Sequence, residues 1–470
     1  MFQKILTKTV LPAYLLLVGV PLAALILVLK AGSHLSAPIA EAVRTVSART
    51  VPAPVSLFLL VTQIAVIILV SRIFGILFKK IHQPQVVGEM LSGILLGPSL
   101  LGWVAPSVSA AIFPAASLGY LSAISQIGLV FFMFLIGIEL NPDELRRHSQ
   151  VALVTSHASI AFPFFLGSAL ALYMYPRLGT AGVKFSNYAL FIGSAMSITA
   201  FPVLARILSE RKLLRSPMGT LSISCAIVDD LTGWCILAYI VVLVRSESST
   251  KPMWMIAVGA IVFFAAMIFA VRPALMGFER SFRKYGRVTD NALSGMLVLC
   301  LISAVCTEWL GIQALFGAFF LGAAMPKDPG FVKAVQEKLE SLTVVALLPL
   351  FFAFSGLRTS VASLRGDLWL DTLLVIGVAV AGKFGGSMLA ARLAGVSWRY
   401  SAALGALMNT RGLMGMVVLN IGLDIGVISE TVFTIMMLMA LATTFMTTPL
   451  LELIYPSRLS LQEEKISSAA

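Results

Sequence analysis

Apolar residues in this chain run in long unbroken blocks rather than in strict alternation, which predicts helices and excludes amphipathic strands. A hydrocarbon core of about 30 Å needs roughly 20 apolar residues per crossing helix. Blocks of about that size fall near 9–30, 54–78, 86–102, 117–138, 149–175, 186–207, 219–244, 253–271, 289–307, 310–325, 340–357, 372–394, 400–421 and 431–453. The segments at 86–102 and 310–325 are short and rich in Gly. The pattern is that of an all-α polytopic membrane protein.

Composition agrees. The 470 residues are 59% hydrophobic and 12% charged, against about 25% charged for a soluble domain. Too little polar surface exists to cover a water-soluble globule. A net charge of +12 raises the question of nucleic acid, but position answers it. Alternating the sides of successive segments puts most of the 34 Lys and Arg residues on the side of the N-terminus, as basic cytoplasmic loops require. No nucleic-acid partner is implied; the partner is the lipid bilayer. Cys225, Cys235, Cys300 and Cys306 lie inside apolar runs and form no disulfide framework.

The chain divides into an extra N-terminal helix with an external linker (1–53), a first repeat (54–245), a linker helix and cytoplasmic loop (246–288), a second repeat (289–455) and a short cytoplasmic tail (456–470). Lys4 and Lys8 before segment 9–30 suggest a signal peptide. The run is too long for one, and Lys30 stands where a small residue is wanted, so the segment reads as a retained helix. No appended soluble domain is expected. Gly377-x4-Gly382-Lys383 resembles part of a P-loop, but Phe384 replaces the Ser or Thr that would meet magnesium. It reads as helix packing.

A charge at the bilayer centre costs about 2.5–3.5 kcal/mol on insertion scales. Four residues incur that cost: the adjacent Asp229 and Asp230, then Lys383 and Arg411. Neighbouring carboxylates on a helix point about 100° apart. One can face a cavity while the other meets a base on another helix, giving an ion pair plus a free site. Two compensating ion pairs holding the bundle are the structural alternative.

Two spans are interrupted at similar depth. Segment 186–207 carries Ser197-Ile198-Thr199-Ala200-Phe201-Pro202, and segment 400–421 carries Asn409-Thr410-Arg411-Gly412. Pro202 removes a backbone donor and disturbs the preceding turn. Each broken segment is followed by a full span, so 186–244 and 400–453 correspond. Paired interruptions point to a transport site at an inverted-repeat interface, where freed carbonyls coordinate cations. Glu89 lies near the cytoplasmic end of its span, within reach of the interface. Glu308 lies at an external end, His157 reads as a core histidine, and His82 and His148 fall in cytoplasmic loops. No His/Cys cluster implies a transition metal, and no nucleophile–base pair implies an enzyme.

At these motifs the chain resembles the monovalent cation:proton antiporter 2 family. Residues 83–98 (QPQVVGEMLSGILLGP) look like its entry helix, and 131–140 (FFMFLIGIEL) match its next signature. Residues 199–208 (TAFPVLARIL) and 409–415 (NTRGLMG) are similar to its plant and bacterial exchanger branch. The motifs together span about 54–455. The resemblance implies the sodium/proton antiporter fold: inverted repeats, a dimerisation domain and a six-helix core with two crossed, unwound helices. It implies that Asp230 is the ion-binding carboxylate and Asp229 its partner. Lys383 matches the basic residue that pairs with the first acid in electrogenic sodium/proton exchangers. Many relatives carry Asn or Gln before the second Asp; Asp-Asp here favours the sodium type. Segment 9–30 is extra to the common thirteen-helix plan.

The expected function is secondary active exchange of Na⁺ for H⁺ by alternating access, with K⁺ and Li⁺ as alternative cations and K⁺/H⁺ exchange as the alternative assignment. Asp230 binds Na⁺, with Asp229 and Thr199 beside it. Lys383 is the ion-pair partner or proton carrier, and Pro202, Asn409, Thr410 and Arg411 support the unwound helices. No cofactor is expected. A cation channel would show a selectivity-filter loop, which the sequence lacks, and a sodium-coupled solute symporter would need more polar residues. The resemblance implies a homodimer through 54–78 and 289–307, and the expected location is a bacterial-type inner membrane.

Overall fold

The computed structural model describes residues 12, 14–38, 56–139, 150–211, 213, 216–248 and 253–456. Lys4, Lys8, Pro52, Arg146, Arg147, His148 and most of the tail lie outside the described residues. All fourteen apolar segments correspond to helices. Among the described residues twelve helices are long and apolar enough to cross a membrane, and a pair bent by 44° makes a thirteenth if it is counted as one span.

The helices are α1 (Leu15–Gly32), α2 (Leu57–Lys80), α3 (Gln85–Leu96), α4 (Leu118–Glu139), α5 (Gln150–Leu178), α6 (Phe185–Ser197), α7 (Phe201–Glu210) and α8 (Pro217–Ser248). Then follow α9 (Met253–Ala266), α10 (Arg272–Tyr285), α11 (Asp290–Leu310), α12 (Ala314–Ala324), α13 (Pro329–Leu342) and α14 (Leu348–Leu357). The last are α15 (Asp367–Val380), α16 (Gly386–Leu393), α17 (Trp398–Met408), α18 (Gly412–Asp424) and α19 (Glu430–Ile454).

They sort into two bundles. In the first, α2 packs on α3, α3 on α14, α12 on α4 and α11, and α9 on α11. In the second, α1, α6, α8 and α16 surround α5, while α19 packs on α15, α17 and α18. The bundles meet where α18 and α19 touch α3 and where α8 touches α9.

Three segments differ from expectation. Residues 272–285 are helix, not a loop: α9 continues through a π turn (Met267–Val271) into α10. The stretch is too charged to span, yet Leu275, Phe278 and Phe282 recur at helical spacing, and Phe282 stacks edge-on against Phe331 at 5.8 Å. Segment 340–357 likewise starts earlier, with α13 beginning at Pro329 behind an Asp328 N-cap. Segment 310–325 yields only the 11 residues of α12, about 16 Å of helix and too short to cross alone.

Glycine sets the tightest contact in the first bundle. A Cβ at Gly356 would lie 1.9 Å from the Gly93 carbonyl carbon, so α3 and α14 touch backbone to backbone. Small residues at such crossings are how membrane helices gain close packing.

Candidate functional site

The second bundle contains both interruptions, and they cross. Between α6 and α7 the chain is extended at Ile198–Ala200, and between α17 and α18 it unwinds at Asn409–Arg411. The Ala200 amide donates to the Thr410 carbonyl at 2.8 Å, stitching one break to the other. Pro202 sits in the first turn of α7, where a missing N–H costs nothing. The break therefore lies just upstream of Pro202, which starts the second half-helix.

An interrupted helix exposes carbonyls at the end of one half and N–H groups at the start of the next. The carbonyl end of α6 is met by the two buried bases. Arg411 donates to the carbonyls of Met196 at 2.6 Å and Ala379 at 3.2 Å, and Lys383 donates to that of Ser197. Asn409 accepts weakly from Arg411 at 3.4 Å, and its amide nitrogen has no partner among the described residues. Thr410 pairs its hydroxyl with Thr447 at 3.2 Å. The start of α18 is met by the Thr444 hydroxyl, which accepts from the Gly412 amide at 2.9 Å.

Lys383 lies in a π turn (Ala381–Gly385) between α15 and α16. The chain comes close to α5 there: a Cβ on Gly382 would lie 2.8 Å from Pro163 Cα. Pro163 is inside α5 and has no N–H, which frees the Ser159 carbonyl four residues earlier. Lys383 Nζ takes that carbonyl at 3.0 Å.

The two carboxylates of α8 have opposite surroundings. Asp229 is saturated: Lys383 Nζ and Thr199 Oγ1 each lie 2.5 Å from its Oδ2, and Ser156 and Ser159 donate to Oδ1 at 3.3 Å. Asp230 is 3% exposed, and neither of its oxygens has a hydrogen-bond partner among the described residues. The Phe201 amide is a backbone donor facing it, at the start of α7, where the helix dipole favours negative charge. The Thr199 hydroxyl donates to Asp229 and lies 3.1 Å from the Met408 carbonyl. Ser156 and Ser159 carry no signal in the sequence, being ordinary small residues until the fold brings them to Asp229.

Glu89 is buried. It is 4% exposed, accepts from Gln85 Nε2 at 2.9 Å, and Gln85 in turn accepts from Arg206 at 2.7 Å. It lines a cavity of about 410 Å³ between the bundles, along with Glu139, Phe201, Pro202, Arg206 and Leu413. His157 is half-buried against Tyr14 of the N-terminal segment, their polar atoms 3.3 Å apart. His82 lies at a loop with φ of 58°. Glu308 caps the start of α12 by accepting from the Ala314 amide at 2.8 Å. Among the described residues no group of three or more His, Cys, Asp or Glu side chains is placed to hold a metal ion.

A family model described as "Sodium/hydrogen exchanger, transmembrane" matches residues 65–453. The Na⁺/H⁺ antiporter NhaS4 of Synechocystis sp. is 42% identical over 86% of this chain and 98% of its own length. Cation/H⁺ antiporter 17 of Arabidopsis thaliana is 39% identical over 84% of this chain, which spans about half (48%) of that relative. K⁺/H⁺ antiporter 1 of Saccharomyces cerevisiae is 34% identical over 86% of this chain and 47% of its own length. Among solved structures, the sodium proton antiporter MjNhaP1 of Methanocaldococcus jannaschii superposes with a TM-score of 0.57 over 86% of this chain and 98% of its own, at 14% identity. That likeness concerns the fold.

Proposed function

This chain belongs to the sodium/hydrogen exchanger family, and on that footing we propose that it is a secondary active antiporter exchanging Na⁺ for H⁺, with Asp230 as the shared binding group. The observation that carries the reading is the contrast within α8. Asp229 has its lone pairs taken by an ammonium and three hydroxyls, whereas Asp230 is buried with no side-chain hydrogen-bond partner among the described residues and only the Phe201 amide facing it. A bare buried carboxylate is costly. A proton or a hard monovalent cation relieves that cost, and one carboxylate holds only one of them at a time. Competition of this kind couples the two fluxes.

The two bundles suggest the movement. The first serves as a frame and the second as a carrier holding the crossed half-helices, in the rigid-body form of alternating access. Residues 54–245 and 289–455 are then inverted repeats, each contributing helices to both bundles. A frame that must stay still in the bilayer is steadied by pairing two copies, through α2 and α11. A bacterial-type inner membrane is the proposed location.

The cavity beside Phe201 and Pro202 is also lined by Arg206, Gln336 and Glu340, on segments that the charge pattern assigns to the cytoplasmic side, so we read this arrangement as facing the cytoplasm. The test is proton flux in acid-loaded proteoliposomes on addition of Na⁺, K⁺ or Li⁺. Saturable alkalinisation by Na⁺ supports the reading. Flux that needs an organic solute, or conduction without proton movement, overturns it.

A further inference from the structure

At the outer end, away from the Lys- and Arg-rich surface, polar side chains tie the frame to the carrier. Arg358, the C-cap of α14, donates to Asp424 Oδ1 at 2.7 Å and to Asn420 Oδ1 at 3.3 Å, both on α18. Asn420 is buried and donates in turn to Ser355 Oγ of α14 at 2.7 Å and to the Met416 carbonyl at 2.9 Å. The guanidinium also lies over the rings of Phe354 in the frame and Phe433 in the carrier. A second bridge, Arg245 to Glu308 at 3.3 Å, joins α8 to α11 at the same end.

These contacts matter because of what α18 is. It starts at the crossing, at Gly412, and ends at Asp424, a rod of about 20 Å. A hold on its outer end is a hold on the unwound segment. The cavities agree: the outer one, about 600 Å³, is lined by Arg245, Glu308, Val417, Asn420 and Asp424 but by no residue of the first turn after either break, whereas Phe201 and Pro202 in the first turn of α7 and Leu413 in the first turn of α18 line the inner one.

We infer that Arg358 is an outer latch: a positioning residue whose grip on Asp424 and Asn420 keeps the outer path shut while the carrier faces inward, and whose release opens it. The inference rests on the antiport reading for its purpose but not for its measurement. With every polar group of Asn420 engaged, the network fits one register of α14 against α18, and sliding the carrier breaks it as a unit. A cation entering the outer cavity competes with the guanidinium for Asp424, which gives the external ion a means of releasing the latch.

The test uses the full chain with exposed Cys235 and Cys306 replaced by Ser, and a single reporter cysteine at Val417 (outer cavity) or Ala205 (inner cavity). Oriented vesicles are treated on either face with a membrane-impermeant thiol reagent. Arg358→Gln should raise outer labelling of the Val417 reporter by about fivefold or more, the scale of a modest conformational coupling, and lower inner labelling of the Ala205 reporter. Asp424→Asn should move both rates in the same directions, and it carries the test alone if Arg358→Gln fails to insert. Unchanged rates, or rates rising on both faces as in general loosening, overturn the latch. A response to Arg358→Gln without one to Asp424→Asn overturns it too. Labelling needs no transport, so wild-type protein that lacks cation-driven proton flux would overturn the antiport reading and leave this result standing.

Discussion

Lys383 Nζ lies 2.5 Å from Asp229 Oδ2, and both side chains are fully buried. The lysine is also donor to the carbonyls of Ser159 and Ser197, one freed by a proline inside α5 and the other by the break after α6. One ammonium thus has three acceptors, which is all it can serve. Asp229 is thus held by Lys383, Thr199, Ser156 and Ser159, whereas Asp230 has no side-chain hydrogen-bond partner among the described residues, and the proposed function makes Asp230 the shared binding group.

Asp230→Asn should therefore abolish exchange in a protein that still folds, because the amide keeps the shape and removes the charge both ions need. Cation-dependent proton flux is read in proteoliposomes, with thermal melting alongside. Wild-type flux from a folded Asp230→Asn protein would remove Asp230 from the mechanism.

Lys383→Gln acts on the partner instead. Cation binding at Asp230 should survive, while the charge moved per turnover falls if Lys383 normally gives up a proton when the cation arrives. Losing one member of a buried pair should also cost about 3–5 kcal/mol of stability. Charge movement on a solid-supported membrane separates these effects. An active variant with the wild-type charge-to-cation ratio would exclude the lysine as a proton carrier.

Thr199→Val removes a hydroxyl that donates to Asp229 and also lies 3.1 Å from the Met408 carbonyl. A hydrogen bond to a charged group is worth about 1.5–3 kcal/mol, so the melting midpoint should drop clearly while exchange continues at a reduced rate. Complete loss of Na⁺ affinity with an unchanged midpoint would instead make Thr199 a direct cation ligand.

Lys327, in the turn between α12 and α13, donates to the carbonyls of Gly137, Ile138 and Gly322 at 2.9–3.0 Å, closing the ends of α4 and α12. Burial, with Arg272 nearby, pulls its ammonium down from 10.5 to about 7. The folded state then holds fewer protons than the unfolded chain between those values, so stability contributed by this group rises with pH across that window. The melting midpoint of wild type minus that of Lys327→Met should increase from pH 7 to pH 10. A difference that shrinks would show that the carbonyls hold Lys327 charged.

The positions and order of the apolar helices were legible in the sequence because burial in lipid demands apolar runs of known length, and that demand is local; the number of crossings was not, since fourteen apolar segments give twelve spanning helices and one bent pair among the described residues. The breaks were legible for the same reason: Thr199-Ala200-Phe201-Pro202 and Asn409-Thr410-Arg411-Gly412 are polar or helix-breaking stretches in otherwise apolar spans. Residues 272–285 were not, since their charge hid a helix that the stacking of Phe282 on Phe331 stabilises.

The sequence by itself determined that this is a helical membrane protein with Asp229, Asp230, Lys383 and Arg411 inside the bilayer, since hydropathy and charge are properties of each segment alone. Only the tertiary structure decided how those charges are used. Adjacent aspartates are chemically identical until distant residues reach one of them: Ser156 and Ser159 from α5, Thr199 from the first break, and Lys383 from a π turn well over a hundred residues further along. The same holds for Arg411, which serves carbonyls rather than a carboxylate, and for Glu89, which packing buries. Which partner a buried polar group finds depends on contacts between helices far apart in the chain, and no local pattern encodes them.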